Sequence, residues 1–322
     1  MVTTTTGADC ALQSRTGELK FTKWRTWYRV TSAEPALASD SVDRAPVVVL
    51  HGGPGSAHDY LLAYAELAAS GHAVVHYDQL GCGRSTHLPY QDPSFWTIEL
   101  FLEQLDTVLA GLQLGDRYHL LGHSWGGMLA VEHALRRPRG LVSLVVADAP
   151  ASMELWIAES KRLRAKLPSS VLKILESHEA AGTLQDPAYE AALRPYYDRH
   201  VCRLTPPPEE MRRSEVECQS DPTTYLAMWG PNECYVTGSL RDWTAVERLH
   251  VISVPTLVIS GVDDQATKVT IQPFVDRVPD VRWHQFKKAS HNPHLEARQA
   301  CLSTVAQFFR QNEPGKNPVI PA

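Results

Sequence analysis

The stretch Tyr118-His-Leu-Leu-Gly-His-Ser-Trp-Gly-Gly127 sets a serine between glycines, and Ser124 is the residue in it able to act as a nucleophile. In Gly122-His123-Ser124-Trp125-Gly126 the glycines allow backbone to crowd a sharp strand-to-helix turn, which would lift the hydroxyl clear of a sheet edge. A serine hydroxyl attacks a carbonyl only if a base takes its proton and an acid holds that base in the right tautomer. The chain order serine, acid, histidine suits such a turn. Downstream, Gly261-Val-Asp-Asp-Gln-Ala266 offers Asp263 and Asp264, one of which is expected to be the acid. Ala289-Ser-His-Asn-Pro-His294 offers His291 as the base; His294 is a rival that falls at the start of a helix, and His123 reads as a supporting or packing residue.

Chemistry at a carbonyl also needs donors for the developing oxyanion. The run Ala45-Pro-Val-Val-Val-Leu50 ends in His51-Gly-Gly-Pro-Gly55, a tight turn with exposed amides, and the residue after the nucleophile supplies a second donor. Gly53 and Trp125 are therefore the expected oxyanion hole.

These groups must be positioned by strands that end near one another. Short apolar runs at 45–50, 72–77, 118–123, 141–147 and 254–260 read as buried strands, and Val281-Arg-Trp-His-Gln-Phe286 as another. Helical patterns at about 60–70, 96–112, 125–135 and 293–310 separate or follow them, which predicts an α/β fold with a mostly parallel sheet covered on both faces. Residues 18–30 read as one or two antiparallel edge strands. The alternation stops at 151–250, where helical stretches, a Thr205-Pro-Pro-Pro208 break and a charged run at 209–217 predict a helical cap between core segments 17–150 and 251–312. The charged run reads as a solvated face. Residues 1–16 and 313–322 are expected to be tails.

The chain has 322 residues, enough for one large α/β domain with an insertion, and its net charge of −5 gives no reason to expect nucleic acid or an anionic membrane as partner. The N-terminus lacks a secretory pattern and no apolar run is long enough to span a bilayer, so a cytoplasmic protein is expected. Six scattered cysteines without C-x-x-C spacing indicate neither a zinc site nor a disulfide framework, and no cofactor is called for. Cys82 reads as a small filler, and Asp78 and Arg84 as a structural pair within Asp78-Gln-Leu-Gly-Cys-Gly-Arg-Ser85. A monomer is the expectation, as no self-complementary apolar helix stands out.

HGGPG at 51–55, DQLGCGRS at 78–85, GHSWGG at 122–127, Gly230-Pro-Asn-Glu233, Gly261-Val-Asp-Asp264 and Ser290-His291 together resemble the proline iminopeptidase-like branch of the α/β-hydrolases, which includes the tricorn-interacting aminopeptidase and amino-acid amidases. The resemblance runs over nearly the whole chain. It implies Asp264, rather than Asp263, as the acid and His291 as the base. It also implies that Glu233 binds the free α-amino group of a small amide or short peptide, with Tyr225 lining the same site. Where some relatives carry a second glutamate, this chain has Gln265. An amide brings no charge, and charged hydrogen bonds are worth about 1.5–3 kcal/mol against about 1 for neutral ones, so amine recognition is expected to be weaker or differently arranged. The reading that follows is a serine hydrolase cleaving amino-acid amides, anilides or the N-terminal residue of short peptides. The alternatives are an esterase or lactonase, and a silent member of the fold that only binds a ligand. Trp156, Trp229 and Trp243 are expected either to line an apolar pocket or simply to pack.

Overall fold

A computed structural model of the chain describes residues 11–33 and 44–313. Eight strands form one sheet in the order β1-β2-β4-β3-β5-β6-β7-β8: β1 (Leu12–Phe21), β2 (Trp24–Ala33), β3 (Val47–Leu50), β4 (Val74–Tyr77), β5 (Tyr118–His123), β6 (Leu141–Ala147), β7 (Thr256–Gly261) and β8 (Val281–Phe286). From β4 to β8 every pairing is parallel, while β2 joins β4 antiparallel and carries β1 on its outer edge.

Apolar residues fill both faces of the central strands because each face is covered. Val48, Leu50, Leu120, Val146 and Val258 pack on one side with α1 (Ile98–Gly111), α2 (Trp125–Leu135) and, further along the chain, Lys268–Arg277. Val49, Leu121, Val145 and Ile259 pack on the other with a 3₁₀-type segment His58–Ser70 and the C-terminal helix. Strands buried on both faces lose the polar alternation of a half-exposed sheet, which is why they read as continuous apolar runs.

Between β6 and β7 come α3 (Met153–Arg164), α4 (Ser169–Ala181), α5 (Pro187–His200), α6 (Glu209–Ser220) and α7 (Thr223–Met228). Leu163, Leu175, Tyr189, Leu193 and Tyr196 give the first three a small core of their own. The remaining helices are α8 (Lys268–Arg277), between β7 and β8, and α9 (Pro293–Glu296) and α10 (Arg298–Gln311), after β8. The helical pattern at 293–310 is thus two helices, broken where Ala297 leaves helical geometry at φ −128° and ψ 40°.

Both expected tails need correction at their inner ends. β1 begins at Leu12, so residues 12–16 belong to the sheet: their side chains are mostly exposed, and what orders them is the ladder from Leu12↔Ala33 inward rather than burial. Glu313 is buried, accepts the Ala45 amide at 3.3 Å and lies 3.4 Å from both His72 and His119. The remaining tail positions, 1–10 and 314–322, lie outside the described residues.

Candidate active site

Ser124 stands between β5 and α2 with φ 55° and ψ −122°, a conformation that side-chain-bearing residues seldom adopt. Local bonds hold it there: its amide donates to Ala147 at 2.9 Å, and its carbonyl accepts from Gly127 at 2.8 Å. The flanking glycines are required by close approach. A Cβ on Gly122 would sit 2.0 Å from the Gly126 carbonyl oxygen, and one on Gly126 would sit 2.2 Å from that of Leu50.

His291, in the turn after β8, donates from Nδ1 to Oδ1 of Asp264 at 2.7 Å. That bond places the lone pair of a neutral imidazole on Nε2, which is buried without a protein partner among the described residues. Ser124 and His291 line the same cavity, about 320 Å³ in volume. Burial works against a charged His291, yet the Asp264 carboxylate, with help from Glu233, raises its pKa above 6.5. Asp263, adjacent in sequence, faces away: it pairs with Arg203 at 2.6 Å and is a third exposed.

The Gly53 and Trp125 amides, at the turn after β3 and the first residue of α2, meet no protein acceptor among the described residues. Gly53 lines the cavity. Its φ of 111° and a would-be Cβ contact of 2.6 Å to the Gly55 nitrogen explain why glycine stands there.

Glu233 and Tyr225 line the cavity, and Gln265, which does not line it, meets Glu233 from within the protein. Tyr225 donates its hydroxyl to Glu233 Oε1 at 2.8 Å, and Gln265 donates from Nε2 to Oε2 at 2.8 Å. Burial and the neighbouring Glu233 charge push the Tyr225 pKa well up, which keeps the phenol a donor. Gln265 is fully buried, and its Oε1 has no partner. The Gln265 amide therefore props Glu233 in place and leaves a buried acceptor free beside it.

A family model for the alpha/beta hydrolase fold matches residues 45–298. The proline iminopeptidase of Lactobacillus delbrueckii subsp. lactis is 36% identical over 281 residues, covering 86% of this chain and 92% of its own length. That of Saccharolobus solfataricus is 36% identical over 265 residues, covering 82% and 84%. The chain belongs to the proline iminopeptidase family of α/β-hydrolases. Among solved structures, VinJ is similar at 49% identity and TM-score 0.89, with 92% of this chain and 99% of that one covered. The proline iminopeptidase of Mycobacterium smegmatis is similar at 46% identity and TM-score 0.85, with 92% and 98% covered.

Tyr60 and Gln79, which motif reading passed over, brace the site of this hydrolase together with His123, which it read as a supporting or packing residue. The Gly52 amide donates to the Tyr60 hydroxyl at 2.8 Å, Tyr60 meets His123 Nδ1 at 2.8 Å, and His123 Nε2 meets the His291 carbonyl at 2.7 Å. A carbonyl can only accept, so His123 carries its proton on Nε2 and its Nδ1 accepts a hydrogen bond from the Tyr60 hydroxyl. Burial, first, and then the neighbouring imidazoles keep His123 neutral, as this chain of bonds requires. One relay thus ties the turn after β3 to the backbone of His291.

Gln79 makes the second tie. Its Nε2 donates to the His51 carbonyl and its Oε1 accepts the Trp125 indole N–H, both at 2.8 Å, bridging the two turns that carry Gly53 and Trp125. Gln79→Leu is expected to lower kcat about tenfold with KM little changed, because loosening those turns degrades charge stabilisation rather than substrate binding. Steady-state kinetics check this, and an equal rise in KM would count against it.

Three smaller expectations resolve as follows. Asp78 holds the Arg84 amide at 2.9 Å, while the Arg84 guanidinium lies nearer Asp59, at 3.1 Å, than Asp78, at 3.8 Å. The tryptophans pack: Trp156 meets Trp229 edge-on at 5.2 Å and Trp243 donates to Glu132, and none of the three lines the cavity. The charged run at 209–217 lies in α6 and turns Met211, Ser214 and Glu215 toward the cavity, so it is not merely a solvated face. Sequence offered a signal for Gln79, which lies inside a glycine-rich loop, but none for Tyr60.

Proposed function

We propose that this hydrolase releases the N-terminal residue of short peptides, or the acyl part of amino-acid amides and anilides, in the manner of the proline iminopeptidases it resembles. The observation that carries the reading is the placement of the Glu233 carboxylate in the cavity that also holds Ser124 and His291. A substrate ammonium bound there would put the adjoining carbonyl over the serine.

In this reading His291 takes the Ser124 proton at Nε2 as the hydroxyl attacks the carbonyl. Asp264 keeps the imidazole in that tautomer and stabilises its charge. The Gly53 and Trp125 amides hold the oxyanion, aided by the N-terminal dipole of α2. His291 then protonates the departing amine, and water releases the acyl group by the reverse sequence. Residues 151–250 would act as a cap, with α6 and α7 closing the cavity and limiting substrate size.

The test is kcat/KM for alanyl, prolyl and phenylalanyl p-nitroanilides, their N-acetylated forms and simple p-nitrophenyl esters. Glu233→Gln is expected to cut the preference for free amines over acetylated substrates by about ten- to a hundredfold, the loss of one charged hydrogen bond. The same substitution removes a negative charge that raises the His291 pKa, so the acid limb of the kcat/KM profile should move to lower pH. Wild-type indifference to acetylation would replace this reading with an esterase or lactonase, in which the Gln265 contact leaves Glu233 a purely structural group.

A further inference from the structure

Asp148 closes β6, the strand between those that carry Ser124 and Asp264, and it lies on the same carboxyl edge of the sheet. It is fully buried, and its backbone is held at φ 53°, with its amide donating to Ile259 at 2.8 Å. Nothing in the mechanism above uses it. Its Oδ1 accepts the Gly261 amide at 3.3 Å, and its Oδ2 has no partner. Asp264 shows the same asymmetry: Oδ1 takes both His291 Nδ1 and the Ala266 amide, and Oδ2 has no partner. A carboxyl oxygen of each aspartate and a ring nitrogen of His291 lie within 4.8 Å of one another.

Two buried carboxylates so placed need a cation or a proton between them. Apart from His291, which must be neutral to act as a base, the groups facing Asp148 supply no full positive charge, and burial keeps the Tyr60 and Tyr64 phenols protonated. His123 Nε2 is 3.8 Å from Oδ2, but its hydrogen is committed to the His291 carbonyl. From α10 the neighbour is the Cys301 thiol, which burial keeps protonated. We propose that Asp148 is a neutral carboxylic acid whose O–H is donated to Oδ2 of Asp264, making Asp148 a positioning residue for the acid of the triad. One proton then serves two carboxyls, with net charge −1, and every oxygen of the pair is satisfied. Burial, followed by the charge and hydrogen bonding of Asp264, drives Asp148 well above the ordinary carboxylate range, in keeping with the geometry.

The arrangement sets the strength of the base. Two ionised aspartates would hold His291 as imidazolium at working pH, where it cannot take the serine proton. A proton on Asp148 tempers Asp264 and keeps the imidazole available. The inference rests on reading Ser124, His291 and Asp264 as the reacting set.

Infrared difference spectra of the wild-type protein, with aspartate carboxyl carbons labelled, should show a protonated-carboxyl C=O band that shifts in deuterium oxide and disappears in Asp148→Asn. Asparagine tolerates positive φ and can donate Nδ2–H to Asp264, whereas leucine cannot donate. Asp148→Asn is therefore expected to retain at least about tenfold more kcat/KM than Asp148→Leu near pH 6, and to keep the wild-type acid limb. The leucine variant should move that limb up by about one pH unit, because Asp264 loses a donor and becomes more basic. Absence of the band, or an asparagine variant as impaired as the leucine one, overturns the proposal. If Asp148→Leu fails to fold, the infrared measurement on the wild type and Asp148→Asn still decides. Asp264→Ala separates the two layers. An active Asp264→Ala enzyme overturns the triad reading whatever the band, while an inactive one without the band in the wild type overturns the role of Asp148 alone.

Discussion

Ser124→Ala is expected to lower kcat on an amino-acid p-nitroanilide by about four to six powers of ten and to leave KM within about threefold. The substitution removes one oxygen from a residue that already carries Cβ, so the turn, the packing of α2 and the Gly53 and Trp125 amides stay in place. What is lost is the covalent route; what remains is the modest acceleration given by bound substrate facing aligned donors. Stopped assays with the purified variant measure the loss, and a fluorophosphonate probe should label the wild type and not the variant. Activity within tenfold of wild type would remove Ser124 from the chemistry.

Asp264→Asn should cost about three to four powers of ten in kcat, through the tautomer of the neighbouring imidazole. Oδ1 of Asp264 receives two donors, from His291 and from the Ala266 amide, both requiring an acceptor there. An asparagine carbonyl can meet them only if its NH₂ is turned toward the opposite side, where a donating Asp148 would repel it. The flipped amide offers N–H to His291 Nδ1, selects the tautomer with hydrogen on Nε2, and leaves no lone pair for the serine. Loss of the carboxylate also removes a charge that raises the His291 pKa, so the residual activity should show an acid limb at lower pH than the wild type. A pH series of kcat/KM for both proteins checks the magnitude and the sign together. An unchanged limb would mean that Asp264 does not govern His291.

The parts of this molecule that declared themselves in sequence were those in which one residue type answers one physical demand. Val47–Leu50 and Thr256–Gly261 are buried on both faces, so their apolar runs could scarcely read otherwise. Gly122 and Gly126 admit no Cβ, and their spacing around Ser124 marked the turn. The choice between Asp263 and Asp264 was different. Adjacent residues of equal chemistry point to opposite sides, and spacing cannot say which meets His291; only motif resemblance, and then the direction of the side chain, separates them. Asp148 had no motif at all. Its relation to Asp264 arises across the β6–β7 ladder, where Ala147 stands opposite Ile259, more than a hundred positions away along the chain. Leu12 to Thr16 were missed for the opposite reason. An exposed edge strand is ordered by backbone bonding, to which side-chain pattern is nearly blind.

Glu313, lodged against Ala45, His72 and His119 at the amino ends of three central strands, has a consequence for the order in which the molecule is built. The Ala45 contact spans 268 positions, among the most distant partnerships a chain of this size can make. During synthesis the strand leading to Ser124 emerges in the first half, while Asp264 and His291 emerge only after the long excursion through α3 to α7. A nascent chain arrested in that excursion holds the serine turn without Asp264 and His291. Such a chain has a sheet still open along β6. Contacts of this range slow folding, since the entropy of closing the loop falls due before the contact forms. If Ser124, Asp264 and His291 form the reacting set, turnover of a chromogenic amide during refolding is expected to lag until the segment that ends at Glu313 is seated against Ala45, His72 and His119, and so to report completion of the whole architecture rather than of the nucleophile's own half.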